Sequence, residues 1–219
     1  MMSRILLAGA TGLVGFQVLQ FLALEGSKAE PHSISRRRVV SLPLGIQSHI
    51  ADIAEWPEII AGIKPDVAIS CLGTTIKTAG SKEAFAAVDL DLVTSVATAA
   101  KAAGAKQMIA ISSVGATANS ANFYLATKGK AEAALRALAF DRLDILRPGL
   151  LRGNREESRA GETLGIILSP LIDALMHGPL RRYRSINSFD VAMAIANLAV
   201  VGGQGQFIHE NDAITALAG

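Results

Sequence analysis

Apolar positions along this chain fall into two alternating rhythms. Short apolar runs, rich in β-branched residues, predict strands over residues 5–8, 66–71, 107–112, 143–146 and 206–209, with weaker ones over 33–35 and 49–52. Between them, apolar residues recur at helical steps. That spacing predicts helices over 13–24, 56–63, 82–103, 123–139 and 189–200. Breakers mark the ends: Lys64-Pro65 closes the second helix, Gly104 the long Ala-rich one, and Arg147-Pro148-Gly149 stops a strand. Ser188 is the expected cap of the 189–200 helix, with Asp190 in its first turn. Regular alternation of strand and helix predicts an α/β fold, a doubly wound parallel sheet with helices on both faces. The rhythm fails over 150–185. That stretch reads as a small substrate-side cap within one domain spanning 1–219.

The first strand runs straight into Gly9-Ala10-Thr11-Gly12-Leu13-Val14-Gly15. In a doubly wound fold this strand-to-helix turn faces the ligand crevice. Glycine there permits positive φ and removes the Cβ that would collide with a pyrophosphate. Gly9, Gly12 and Gly15 fit a tight turn, a close approach and helix-to-strand packing. Backbone at Thr11, Gly12, Leu13 and Val14 offers the free N–H groups of a helix start to an anion. The end of the second strand reads Ser35-Arg36-Arg37-Arg38, where an acid would select NAD through its ribose. Arginine instead matches phosphate, so NADP(H) is expected, with Arg36 and Arg37 at its 2′-phosphate. Asp52 and Ile53 end the third strand and are expected beside the adenine; Asp52 serves equally well as a helix cap. Leu72, Gly73 and Thr74 follow the fourth strand, where Gly73 permits close backbone approach and Thr74 donates hydrogen bonds.

Composition narrows the rest. The 219 residues are 50% hydrophobic and 18% charged, enough for a sizeable core. A net charge of +2 is too small to make nucleic acid the main partner. The single cysteine, Cys71, allows no internal disulfide and points to a reducing, cytoplasmic setting. Arg4 followed by apolar residues up to Leu24 resembles an export signal or a span, but spaced glycines, Gln17 and Gln20 interrupt it. No membrane partner is expected. His32, His49, His177 and His209 are dispersed, and no metal-ligand cluster appears.

The catalytic candidates lie in the second half. Ser112 and Ser113 end the 107–112 strand, and Tyr124 and Lys128 follow at i and i+4, on one helix face. A neighbouring ammonium favours the tyrosine anion. Serine can hold a substrate oxygen by a hydrogen bond, and tyrosine can then give it a proton. Ser113 is the favoured serine, with Ser112 close to the cofactor; Lys128 can also bind the nicotinamide ribose.

Together these residues resemble the short-chain dehydrogenase/reductase superfamily of Rossmann-type proteins. They look most like its atypical branch, similar to Tat-interacting-protein-like and NmrA-like oxidoreductases. The resemblance rests on the motifs GATGLVG (9–15), SRRR (35–38), CLGTT (71–75), Val88-Asp89, ISSVGA (111–116), Tyr124 to Lys128, and RPGLLRGNREESRAGE (147–162). It implies that backbone after Pro148 meets the nicotinamide carboxamide, placing Gly149, Leu150 and Leu151 nearby. Arg155 and Arg159 fall in the same family-like stretch. The expected function is NADP(H)-dependent reduction of a small carbonyl compound by a monomer or homodimer. The alternatives are a non-enzymatic, NADP(H)-sensing regulatory protein and a nucleotide-sugar epimerase-like enzyme, against which the short C-terminal region argues.

Overall fold

The computed structural model describes residues 2–24, 29–153 and 176–219. Its strands are β1 (Ser3–Ala8), β2 (Ala29–Ser35), β3 (Gln47–Ile50), β4 (Val67–Ser70), β5 (Gln107–Ile111), β6 (Arg142–Leu146), β7 (Leu151–Arg152), β8 (Ile186–Asn187) and β9 (Gly205–His209). Seven of them form one sheet in the order β3-β2-β1-β4-β5-β6-β9, and β7 pairs with β8. Every pairing is parallel. The chain leaves β1 toward β2 and β3 on one side, then returns to β4 on the other. That reversal opens a crevice at the carboxyl ends of β1 and β4, where ligands of such sheets bind. This is the doubly wound Rossmann-like arrangement expected from the alternation.

The helices are α1 (Leu13–Leu22), α2 (Trp56–Ile63), α3 (Ile76–Ala79), α4 (Lys82–Ala86), α5 (Val93–Ala102), α6 (Phe123–Ala137), α7 (Ser188–Val200) and α8 (Asn211–Leu217). Successive strand residues point to opposite faces, and β1 divides its side chains accordingly. Ile5 and Leu7 join Val18 and Leu19 of α1 and Val191 and Ile195 of α7 in one core layer. Leu6 and Ala8 join Trp56 and Ile60 of α2 and Val93 and Val96 of α5 in the other. Each fully buried large aliphatic side chain contributes about 1.5–3 kcal/mol.

Several elements differ from the sequence expectation. The Ala-rich segment is not one helix: a π-type turn at Ala87–Leu92 separates α4 from α5 and carries Asp89 into full burial. Asn187, not Ser188, caps α7, because its carboxamide oxygen accepts the Phe189 N–H at 3.0 Å, and Ser188 becomes the first helical residue. β2 begins at Ala29, four residues early. Glu30, Pro31 and His32 disguise it, since the sheet pairs their backbone despite polar side chains and a proline. The chain continues past β9 into α8, whose apolar anchor is the fully buried Ile214. Most of the 150–185 segment, including Arg155 and Arg159, lies outside the described residues.

Candidate active site

The glycine turn is built by backbone crowding. Gly9 has φ +99°, and a Cβ there would stand 2.5 Å from the carbonyl carbon of Cys71 at the end of β4. Gly15 packs directly on the Gly9 carbonyl. Gly12 differs: a Cβ on it would meet only the Gly9 oxygen, at 3.4 Å, so the turn is open on that side. The Gly12 N–H donates to the Gly9 carbonyl at 3.1 Å and closes the turn. Helix α1 then starts with no side-chain cap and no acid in its first turn. Its first N–H groups and its positive dipole end face outward at the open glycine, which suits an anionic pyrophosphate. Thr11 and Gly12 are exposed, Leu13 is half-buried and Val14 is buried.

Arg36, Arg37 and Arg38 are all exposed just past β2. Among the described residues none of the three has an acidic partner within ion-pair distance. The Ser35 hydroxyl donates to the Arg37 carbonyl at 2.8 Å and shapes that bend. Asp52 is exposed and stands at the N-cap of a 3-10 helix, Ile53–Glu55, with its own N–H bound by the Glu55 carboxylate at 3.0 Å. The capping role is therefore realised; Ile53 stays 39% exposed at the mouth of β3.

Helix α6 and the α4 segment meet as two facing pairs. Asn122 caps α6 by accepting the Leu125 N–H at 3.2 Å. One turn apart on α6 stand Tyr124 and Lys128; opposite them stand Phe85 and Asp89. The Tyr124 and Phe85 rings lie 5.5 Å apart, and the Lys128 ammonium lies 2.7 Å from the Asp89 carboxylate. The other Asp89 oxygen accepts the Thr74 N–H at 2.8 Å. Gly73 covers this pair: a Cβ there would come within 3.4 Å of Asp89 and 3.7 Å of Lys128. The loop after β4 thus comes to rest on Lys128, a contact the sequence reading did not suggest. Asp89, quoted there only as part of a motif, is the residue it missed. Its burial depends on the π-type turn, which an Ala-rich helical pattern does not announce.

The two serines diverge. Ser112 is buried and donates to Glu132 at 2.6 Å. Glu132 also takes two bonds from Arg147, at 2.8 and 2.6 Å. That fork raises the Arg147 pKa against the opposing effect of burial. Ser113 is only half-buried, and among the described residues its hydroxyl makes no hydrogen bond shorter than a 3.5 Å approach to the Val114 carbonyl. It remains available to a substrate oxygen. Glu132 continues the stripe of Tyr124 and Lys128 at four-residue steps, a spacing legible in the sequence.

The loop after β6 lies against Ser113. The Val114 N–H donates to the Pro148 carbonyl at 3.1 Å, and Ile186 N–H to the Leu150 carbonyl at 2.9 Å. Pro148 is buried, Gly149 and Leu151 are half-buried and Leu150 is exposed. Gly149 packs on the Arg184 carbonyl, and the Tyr183 hydroxyl approaches Gly115. No sequence signal marked Tyr183. Beside it opens a cavity of about 620 Å³, lined by Arg147, Arg181, Arg182, Ile208, Glu210 and Asp212 among others. Cys71 follows β4, and burial of its thiol pushes the pKa up to about 12, which favours the protonated form.

Among the described residues no cluster of three or more His, Cys, Asp or Glu could hold a metal, and no helix is long and apolar enough to cross a membrane. The family model described as "NAD dependent epimerase/dehydratase family" matches residues 5–139. A mitochondrial protein of Lodderomyces elongisporus, FMP52, is 33% identical over 218 residues, covering 94% of this chain and 91% of its own. FMP52 of Debaryomyces hansenii, also named mitochondrial, is 41% identical over 155 residues, 69% of this chain and 68% of its own. The Bordetella bronchiseptica enzyme WbmG, solved with NAD, superposes with a TM-score of 0.70 at 19% identity, covering 96% of this chain and 73% of that one. The mitochondrial names overturn the cytoplasmic expectation. A lone cysteine separates compartments that form disulfides from those that do not, and it cannot choose among the latter. Fold, glycine turn and relatives agree: the chain belongs, with the FMP52 proteins, to the NAD-dependent epimerase/dehydratase family of short-chain dehydrogenase/reductase-type oxidoreductases.

Proposed function

We propose that this protein is an NADP(H)-dependent reductase of a small carbonyl compound. The observation that carries the reading is the Tyr124–Lys128 face of α6, set beside Gly73 and near the strand end that bears Ser113. Ser113 would donate a hydrogen bond to the substrate oxygen, and Tyr124 would give that oxygen its proton. Lys128 would hold the nicotinamide ribose beside Gly73, where no side chain stands between them. The open turn at Gly12 and the uncapped start of α1 fit the pyrophosphate; Leu72 and Thr74 would flank the ribose, and Gly149 to Leu151 the carboxamide. Arg36 and Arg37, exposed and without acidic partners among the described residues, fit a 2′-phosphate. When bound, the reduced nicotinamide supplies the hydride to the carbonyl carbon.

The test is titration with NADPH and NADH, followed by nicotinamide fluorescence. Binding should favour NADPH, and Arg36→Ala with Arg37→Ala should remove that preference while sparing NADH. Equal affinity for both dinucleotides in the parent protein would sink the NADP(H) assignment. Tight NADPH binding without turnover across a broad carbonyl panel would favour the regulatory alternative.

A further inference from the structure

Three carboxylates are buried among the described residues: Asp89, Glu132 and Asp144. Glu132 and Asp144 are each matched by an arginine, Arg147 and Arg142, at 2.6 and 2.7 Å. Asp89 is matched by a lysine, and that lysine is the one the proposed chemistry uses. The pairing is built, not incidental. Asp89 has no exposed surface, its second oxygen is tied to the Thr74 N–H, and the π-type turn is what carries it to Lys128.

A lone ammonium one helical turn from a phenol favours the phenolate. An ammonium 2.7 Å from a carboxylate is close to a neutral pair, and its field falls off faster than that of a charge. A phenolate can take a proton from an alcohol; a phenol can give one to a carbonyl oxygen. We infer that Asp89 is a positioning residue acting through Lys128: it offsets the ammonium's charge and so keeps Tyr124 a proton donor. The inference rests on the reductase reading and adds the group that tunes its proton donor.

In carbonyl reduction the carbonyl carbon gains a hydride from a reduced nicotinamide dinucleotide, and the oxygen gains the Tyr124 proton. The phenolate left behind is reprotonated from water. Among the described residues, the other charged groups on the elements around Tyr124 are exposed or paired elsewhere. Lys82 and Glu83 on α4 and Asp91 on the π-type turn are exposed, with Lys82 5.4 Å from the Phe123 ring. Arg182 is exposed and stacks 5.0 Å over Tyr183. Lys130 on α6 is exposed, and Glu132, further along the same face, is held by Arg147. Solvent screens the exposed charges far more than the buried pair.

The chain has two tyrosines, so Tyr183→Phe leaves Tyr124 as the single phenol. In that background, phenolate absorbance of the cofactor-free protein is followed against pH. Asp89→Asn should bring the phenolate in ~1 pH unit or more earlier, because Lys128 then acts as a bare charge. Lys128→Met, which leaves Asp89 unmatched, should move it later. Removing both charges together should return it to the parent position. If the folded Asp89→Asn protein titrates like its parent, the inference is wrong. If that variant does not fold, an unchanged titration in Lys128→Met overturns it equally. The readout needs neither substrate nor reductant. A protein that shows the shifts but reduces no carbonyl would refute the reductase reading alone, and an active reductase without the shifts would refute this inference alone.

Discussion

Two glycines three residues apart carry different loads. Gly9 has the left-handed backbone and no room for a methyl group against the Cys71 carbonyl. Gly9→Ala should destabilise the fold by about 1–3 kcal/mol, visible as a lowered melting temperature before any ligand is added. Gly12 has an ordinary φ of −88° and space beside it. Gly12→Ala should melt nearly like the parent yet bind NADPH at least tenfold more weakly; equal losses of stability at both positions would contradict this division. The spacing of the glycines was legible because a turn is local. So was the Tyr124–Lys128 step, which lies within one helix. Asp89 was not, because its partners Lys128 and Thr74 come from other elements and only packing brings them together.

Elements were legible where apolar periodicity and breakers agree, as in β1, β4, β5 and α2. They failed where polar residues lie in a strand, as in β2, or where a helix changes its turn without changing its composition, as between α4 and α5. The β2–β3 edge has its own chemistry. His32 Nδ1 and His49 Nε2 lie 3.1 Å apart, so one ring must accept and cannot be charged. Burial first, then His49 and Arg4 against the opposing pull of Glu30, lowers the His32 pKa, and burial lowers that of His49. Both folded values lie below the ordinary 6.5, so the unfolded chain takes up protons first as the pH falls. The contribution of this pair to stability is whole above 6.5 and is lost progressively as the pH drops toward the folded values. The melting temperature should therefore decline below pH 6.5, and less steeply in His49→Gln. Parallel declines in the two proteins would place the acid sensitivity elsewhere.

At the scale of the molecule, the parallel doubly wound sheet and its crevice followed from alternation, since parallel strands joined by helices leave few topologies. The surroundings of Gly115 and the neighbouring cavity did not: they draw on Tyr183, Arg182 and Glu210, which are remote in sequence from Ser113 and Tyr124. A dinucleotide spanning the crevice would touch both halves of the sheet and hold the whole chain folded. At a hundredfold excess over its dissociation constant such a ligand adds about 2.7 kcal/mol, or roughly 5–10 °C in a domain this size. NADPH should raise the melting temperature by that order and NADH, at equal concentration, by clearly less; the reverse ranking would reject Arg36 and Arg37 as the phosphate clamp. The far edge of the sheet carries a different consequence. Fully buried Asp144 on β6 takes bonds from Arg142, from Gln107 on β5 at 3.0 Å and from His209 on β9 at 2.9 Å. Together these bonds hold its pKa below the ordinary carboxylate value, although burial alone would raise it. His209 leaves the ribosome 65 residues after Asp144. Until it arrives, Asp144 has Arg142 and Gln107 but lacks its third partner, so the β6 edge of the nascent sheet stays polar and open.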